Sequence, residues 1–176
     1  MTDTTATTTA LTTQVYRVWI KATPERIWAA ITDPEWNHRY AYQAPSYYEL
    51  KKGGSFHATA TEDMKAFAKA SGFEIPDTIL DGEVLESEPP RRLVQTWRML
   101  MDPSTAGEPF STLTFEIEDA KMQPGVCKLT VTHELVGAPA TAAMVAGTED
   151  SGAGGGWAWI LSDLKTFLET GKNFVE

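Results

Sequence analysis

A chain of 176 residues is long enough for one domain with a substantial core and too short for two comfortable ones. Hydrophobic residues make up 42% and charged residues 22% of the sequence, which is typical of a soluble globular protein. The formal net charge of −9 argues against nucleic acid or an anionic membrane surface as a partner, because both would repel the protein.

The sequence also indicates the cellular compartment of the protein. Cys127 is the single cysteine, so no internal disulfide can form and an oxidising environment is not implied. No basic segment followed by an apolar run opens the chain, and no stretch approaches the length of a membrane-spanning helix. We therefore expect a cytoplasmic protein that does not enter a membrane.

The chain begins with a segment of low complexity. Residues 1–13 are rich in threonine and alanine and show neither helical nor alternating periodicity. This composition predicts a disordered tail. Residues 14–176 are then expected to form a single domain.

A strand and two short helices are predicted next. From Val15 apolar and polar residues alternate, which is typical of a half-buried strand. Thr23 and Asp33 each precede a proline, and such a pair usually starts a helix, because the first residue caps free N–H groups and proline fits the first turn. Trp36, in the second helix, opens a segment rich in aromatic residues that runs to Tyr48.

A hairpin and a further short helix follow. Two strands are predicted at 47–51 and 55–61, and we expect Gly53 and Gly54 to supply the positive φ angles of the tight turn between them. A short helix over 63–71, capped by its first residue, then interrupts the sheet.

Four more strands are separated by loops rich in proline and glycine. We predict them at 78–86, 91–101, 110–118 and 125–135. In the last two, the alternation turns the following residues toward the interior: Leu113, Phe115, Ile117, Cys127, Leu129, Val131, His133 and Leu135.

The C-terminal part combines a small-residue segment with a long helix. Residues 137–156 are rich in alanine and glycine and are predicted as a loop, with at most a helical turn over 140–145. From Trp157 to Lys172, apolar residues recur every three or four positions and form one stripe of an amphipathic helix. Gly171 stands where a left-handed cap would end it.

The order of elements predicts an α+β architecture. Successive strands with short connections pair as antiparallel neighbours, which gives a curved sheet of about seven strands gripping the C-terminal helix, with two short helices after the first strand. One helix cannot fill the concave side of such a sheet. We therefore expect a cavity between helix and sheet, or a core filled by large aromatic side chains.

Several short segments between residues 15 and 172 match a known pattern. They are IKATPERIW (20–28), the glycine pair 53–54, GEV (82–84), PPRRLV (89–94) with TW (96–97), THE (132–134), and GW (156–157) with LSDLKTFLETG (161–171). On these segments the chain resembles the START-like helix-grip superfamily, also called SRPBCC. More narrowly, it is similar to the family of activator of heat shock protein ATPase homologues.

The resemblance implies the helix-grip fold but no particular activity. Members include lipid carriers, hormone receptors, aromatase/cyclases and co-chaperone domains, so a function taken from the fold is an analogy. The chain departs from the family pattern by a helical insert around 62–74 and by the long segment 137–156. We expect both to lie near the cavity mouth, where they could act as lids.

Large aromatic and apolar side chains are the candidates for binding a ligand, because they combine apolar area with a few polar groups. For each of them the alternative is simple packing in the core. The candidate ligand-binding residues are Trp36, Tyr40, Tyr42, Trp97, Met99, His133, Trp157 and Ile160.

Histidines carry the only candidate catalytic chemistry. None of His38, His57 and His133 has a second metal-ligand type at a recognised spacing, so we predict no metal site and no cofactor. His133 is expected to point inward, where a histidine is either a hydrogen-bonded core residue or a general acid/base. His57 is the second candidate for acid/base chemistry.

Three functions follow from these features. The leading hypothesis is that the domain binds a small hydrophobic or aromatic molecule between the long helix and the sheet. The resemblance implies an alternative, an interaction module similar to the chaperone-activator domain, and the acidic charge would suit a basic face on a chaperone partner. A third reading is a cyclase or hydrolase that uses a cavity histidine, so enzymatic activity is left open, as is the oligomeric state.

Overall fold

The structure of the protein is a computed structural model that describes residues 12–147 and 154–175. Within these residues the strands are β1 (Thr13–Ile20), β2 (Ser46–Tyr48), β3 (Ser55–Thr59), β4 (Thr78–Glu88), β5 (Arg92–Met99), β6 (Ser111–Asp119) and β7 (Cys127–Glu134). The helices are α1 (Pro24–Thr32), α2 (Pro34–Asn37), α3 (Glu62–Ala70), α4 (Pro103–Ala106), α5 (Pro139–Ala146) and α6 (Gly156–Thr170).

The seven strands form one antiparallel sheet in the order β1-β7-β6-β5-β4-β3-β2. Each strand pairs with its neighbour in the chain, except that β1 joins the far edge beside β7. The inner face of the sheet carries the core and is covered by α6, while the outer face is turned away from it. This is the helix-grip fold that the sequence predicts.

The start signals of the first two helices are confirmed. Thr23 Oγ1 accepts a hydrogen bond from the N–H of Arg26 at 3.3 Å, and Asp33 Oδ1 accepts one from the N–H of Glu35 at 2.9 Å. Both side chains satisfy N–H groups that have no partner within the helix.

The predicted boundary of the disordered tail differs at its last residue. Thr13 is the first residue of β1 and pairs with Glu134. Residues 1–11 of the predicted tail lie outside the described residues.

The turn between β2 and β3 corrects one expectation. Gly53 has a φ of +78°, as predicted, but Gly54 does not have a positive φ. Gly54 is required for a different reason, since a Cβ at this position would overlap the carbonyl oxygen of Glu49. The predicted pair of left-handed glycines is therefore wrong for its second member.

The cap of the helical insert is also corrected. Thr61 Oγ1 accepts a hydrogen bond from the N–H of Met64 at 3.2 Å, so Thr61 and not Asp63 caps α3. Asp63 lies in the first turn, where a negative charge is favourable near the positive end of the helix dipole.

The segment predicted as a loop over 137–156 contains a helix. The carboxylate of Glu108 accepts hydrogen bonds from the N–H groups of Ala140 and Thr141, at 2.7 and 2.9 Å. This carboxylate satisfies the first turn of α5, whose preceding residue offers no side-chain cap. Residues 148–153 of the predicted loop lie outside the described residues.

The C-terminal helix has the predicted amphipathic character. Gly171 ends it with a φ of +79°, and its N–H donates to the carbonyl of Phe167 at 2.8 Å, as a left-handed cap does. The predicted apolar stripe is buried except for Ile160, which is partly buried. The fully buried members of this stripe are Trp157, Leu161, Leu164, Phe167 and Leu168.

Gly82 provides a test of how tightly the sheet is built. A Cβ at Gly82 would overlap the backbone carbonyl oxygen of Thr96 on the neighbouring strand, and a backbone atom cannot move aside cheaply. We expect Gly82→Ala to lower the free energy of unfolding by at least about 2 kcal/mol. Urea denaturation followed by tryptophan fluorescence measures this change.

Gly107→Ala is the matched control. Gly107 has a φ of −83°, and the nearest atom to an added Cβ is 3.5 Å away. This variant should change the free energy of unfolding by no more than about 0.5 kcal/mol. Equal stability of the two variants would contradict the close approach of β4 and β5 at Gly82.

Candidate functional site

The interior contains a continuous hydrogen-bond chain centred on His133, which is 0% exposed. The indole Nε1–H of Trp157 donates to His133 Nδ1 at 3.1 Å. Because an indole nitrogen can only donate, Nδ1 must accept and the ring proton must reside on Nε2. Nε2 therefore donates to Ser111 Oγ at 2.8 Å, and this hydroxyl donates to the carbonyl oxygen of Trp97 at 2.9 Å.

This chain, here called the His133 chain, leaves no ring nitrogen of His133 for a substrate. Burial lowers the pKa of His133 from 6.5 to about 4, so the ring is neutral near pH 7. The rings of Trp97 and Trp157 meet the imidazole edge-on, with centroid distances of 5.2 and 6.0 Å. These contacts favour a structural role for His133, joining α6 to the sheet.

A second aromatic group surrounds Phe167 in the C-terminal half of α6. Tyr40 stacks on Phe167 and Trp36 meets it edge-on, both with a centroid distance of 6.0 Å. The Tyr40 hydroxyl donates to the carbonyl oxygen of Ala30 at 3.0 Å. Trp36 and Tyr40 thus anchor α2 and the following loop to the C-terminal helix.

The loop over 38–43 has an unusual backbone. Ala41 and Gln43 both have φ angles in the left-handed region, 53° and 57°, although neither is glycine. The N–H of Ala41 donates to the carboxylate of Asp163, a buried residue of α6, at 2.7 Å. Tyr42, between the two left-handed residues, is therefore held in place from α6.

Tyr42 also contacts the start of α6 directly. Burial raises the pKa of its hydroxyl, and hydrogen bonds from the backbone of Gly156 and Gly155 act in the opposite direction. The side chain remains 48% exposed, so one side of the ring faces solvent. This exposed side forms part of a pocket.

The pocket, called the outer pocket below, has a volume of about 550 Å³. It lies between the loop over 38–43, helix α3 with its flanking residues, and Met101 just beyond β5. The insert predicted over 62–74 therefore supplies one wall. The lining residues are His38, Tyr42, Gln43, Thr61, Asp63, Met64, Phe67, Ala68, Phe73 and Met101.

The structure distributes the predicted ligand-binding residues over distinct places. His133, Trp97 and Trp157 form the His133 chain with Ser111, and only Tyr42 among the predicted residues lines the outer pocket. Trp36 and Tyr40 surround Phe167. Met99 and Ile160 are partly buried beside the core.

His57, the other candidate for acid/base chemistry, lies on the opposite face of the sheet from His133. Its neighbours on β3, Phe56 and Ala58, point into the core, so His57 points outward. Its ring stacks on Tyr47 with a centroid distance of 5.1 Å. The two histidines therefore cannot act on one substrate.

Sequence reasoning missed most of the residues that line the outer pocket. Phe67 and Phe73 belong to the insert, and the apolar side of its short helix was visible in the sequence as Met64 and Phe67. An apolar face on a short helix inserted between two strands indicates that the helix forms one wall of a pocket. Gln95 was also missed, although it is a polar residue at an inward position of β5, between Leu93 and Trp97.

Neither a metal-binding cluster nor a membrane-spanning helix is found among the described residues. Within 12–147 and 154–175, no three histidine, cysteine, aspartate or glutamate side chains come together in a way that could hold a metal ion. None of the helices in the same part of the chain is both long and apolar enough to cross a membrane.

A family profile described as Activator of Hsp90 ATPase homolog 1-like protein matches residues 21–169. Comparison with curated proteins gives no match. Solved structures do resemble the fold. Protein MLL2253 from Mesorhizobium loti is 21% identical with a TM-score of 0.61, and the match covers 89% of this chain and 96% of that protein.

Two other solved structures are similar in fold. PFC0360w from Plasmodium falciparum, described as an HSP90 activator, is 22% identical with a TM-score of 0.51, over 93% of this chain and 91% of that one. CalU16 from Micromonospora echinospora is 22% identical with a TM-score of 0.55, over 89% of this chain. The chain spans 65% of the length of CalU16.

The burial of His133 predicts a specific pH dependence of stability. Above pH 6.5 the ring is neutral in the folded and unfolded states. As the pH falls from 6.5 toward 4, the unfolded state binds a proton that the folded state excludes, so the free energy of unfolding decreases. At about 1.4 kcal/mol per pH unit, the expected loss is about 3 kcal/mol.

Urea denaturation at several pH values tests this prediction. His133→Gln should flatten the decrease between pH 6.5 and 5, where few carboxylates titrate, whatever its stability at pH 7. His57→Gln is the control and should retain the decrease. An unchanged pH profile in His133→Gln would contradict the assignment of a neutral, buried ring.

Proposed function

The chain belongs to the Activator of Hsp90 ATPase homolog 1-like family, and from this premise we propose that it binds a small apolar or aromatic molecule between the C-terminal helix and the sheet. In this proposal the outer pocket is the entrance to the binding space. Tyr42 lines this entrance. We expect the other predicted residues to contact the ligand further inside: Trp36, Tyr40, Met99 and Ile160, with the His133 chain, including Trp97 and Trp157, as a rigid floor.

One observation carries the proposal. Three large aromatic side chains that line the outer pocket are exposed: Tyr42 by 48%, Phe67 by 72% and Phe73 by 48%. Exposed apolar side chains that converge on one concave site mark a binding surface, whereas scattered ones do not. A volume of about 550 Å³ also falls within the usual range for small-molecule sites.

The lining of the outer pocket suits an uncharged ligand. Met64, Ala68 and Met101 add apolar surface to the three aromatic rings, and no lysine or arginine is among the described lining residues. The carboxylate of Asp63 would repel an anion. We therefore expect a neutral molecule that is mostly apolar.

The chaperone partner is a second candidate function. The family description and the fold shared with PFC0360w support it, and an exposed apolar surface could serve it. Trp19 is 51% exposed and Met122 is 94% exposed, and the two residues line a second groove of about 370 Å³. A cytoplasmic location suits both functions and stays a prediction.

A fluorescence titration tests ligand binding. N-phenylnaphthylamine is neutral and apolar, and its emission rises when it enters an apolar site. We expect wild-type protein to bind it, and Phe73→Ala to weaken binding by about fivefold to thirtyfold, because losing the phenyl contact removes about 1–2 kcal/mol.

Phe110→Ala is the matched control for this experiment. Phe110 is exposed by 45%, close to the value for Phe73, but it lies outside the outer pocket beneath the guanidinium of Arg98. Its removal should leave the affinity unchanged. Equal effects of the two substitutions, or no saturable binding by wild-type protein, would overturn the proposal.

The chaperone alternative has its own test. Purified Hsp90 should retain wild-type protein in a pull-down and lose most of it when the Trp19→Ala variant is used, because the exposed indole would be a main contact. Phe110→Ala again serves as the control. Failure of Hsp90 to retain wild-type protein removes this alternative and leaves the ligand proposal untouched.

A further inference from the structure

Gln95 is an uncompensated polar group in the interior. It lies in β5, in the middle of the sheet, and is 0% exposed. Neither Nε2 nor Oε1 has a hydrogen-bond partner. Among the described residues, only Ser87 also has a buried side-chain polar atom without a partner.

The direction of the side chain follows from the strand register. Gln95 alternates with Leu93 and Trp97, which are buried on the inner face, and it pairs with Val84 of β4 and Leu113 of β6. The amide therefore points away from solvent, toward the inner side of the sheet.

The hydroxyl of Tyr48 approaches the amide but does not satisfy it. Burial raises the pKa of Tyr48, and an interaction with the Gln95 side chain acts in the opposite direction. The Tyr48 hydroxyl is thus close to the amide, but the two groups do not reach hydrogen-bond geometry. Tyr40 is not available either, since its hydroxyl is bonded to the carbonyl of Ala30.

Around Gln95, on β4 and β5, the inner face of the sheet is covered by side chains and not by the backbone of α6. The helix backbone lies against β1, α5 and α1, and approaches β4 and β5 much less. Leu80 of β4 and Met99 of β5, which pair across the inner face, are only partly buried. A molecule bound here would displace side chains, whereas one bound beside β1 would displace the helix backbone.

We propose that Gln95 is the polar anchor of the bound molecule, and that it pairs with a neutral group that offers one acceptor and one donor side by side. A carboxamide, a lactam or an imide has this arrangement and matches both atoms of the amide at once. This inference rests on the proposed function, because it assigns one end of the ligand that enters through the outer pocket.

The interior favours a neutral group over an anion. No lysine or arginine is buried among the described residues, so a carboxylate beside Gln95 would have no counter-charge. His133 cannot supply one, since both of its ring nitrogens are engaged within the protein. A carboxylate would also leave Oε1 facing a second acceptor.

The distance along the strand adds a further property of the ligand. Gln95 and Met101 are separated by the four remaining residue steps of β5, about 13 Å at the usual rise of a strand, and by the bend that follows Met99. A ligand that reaches both is elongated, with an apolar body and an amide-like end. A small naphthyl probe reaches only one of the two places, so the anchor and the outer pocket can be tested separately.

The experiment compares three naphthyl probes of similar size by calorimetry: the carboxamide, the methyl ketone and the carboxylate. The carboxamide offers a donor and an acceptor, the ketone an acceptor only, and the carboxylate a negative charge. We expect wild-type protein to bind the carboxamide about tenfold more tightly than the ketone, and the carboxylate least tightly. Gln95→Met, which keeps the length of the side chain, should abolish the preference, so that the carboxamide and the ketone bind with equal affinity.

A measurement on wild-type protein covers the case in which the variant does not fold. In nitrogen-labelled wild type, the carboxamide probe should shift the side-chain NH₂ resonances of Gln95, and the ketone should shift them less. A water molecule is the competing partner for the amide. With water alone at Gln95, the probes would show no preference and the NH₂ resonances would not move, which would overturn the inference.

The result also separates this inference from the proposed function. Binding of N-phenylnaphthylamine that depends on Phe73, together with no carboxamide preference, would leave the function standing and remove the anchor. Absence of binding by every probe would remove both. A preference that persists in Gln95→Met would assign the recognition to another residue.

Discussion

A single buried histidine links the start of α6 to three strands of the sheet. Through the His133 chain, the indole of Trp157 at the start of the helix is tied to side chains of β7 and β6 and to the backbone of β5. Every polar atom in this chain has a partner, so the interior keeps its polar groups without the cost of unpaired burial. The first turn of the helix is thus fixed beside β7 and β6.

The middle of α6 fixes the loop over 38–43, which forms one wall of the outer pocket. Asp163 accepts one hydrogen bond from Ala41 and one from Phe174, at 2.7 and 2.8 Å, and so fixes both the loop over 38–43 and the chain after the helix. This bond holds Ala41 in the left-handed region, which costs on the order of 1–3 kcal/mol for a residue other than glycine. The outcome is that Tyr42 stands at the rim of the outer pocket, and the helix that forms the core also shapes the entrance.

Local signals in the sequence were sufficient for elements whose partners are close in the chain. Thr23 and Asp33 cap their helices through groups two or three residues away, and both were predicted. Helix α5 could not be predicted in the same way, because Glu108, which caps it, lies more than thirty residues earlier in the chain. The outer pocket was missed for the same reason: its walls meet only after the sheet has brought the insert beside the loop over 38–43.

The contrast between His133 and Gln95 bears on function. Both are 0% exposed, and both belong to the inner face of the same sheet, two strands apart. The fold surrounds His133 with complementary groups, which shows that it can satisfy a buried polar side chain completely. An unpaired buried amide costs about 1–3 kcal/mol, and an apolar side chain of similar size at this position would avoid the cost. A polar residue kept in the centre of the sheet despite this cost is what a site needs if its partner is supplied from outside the chain.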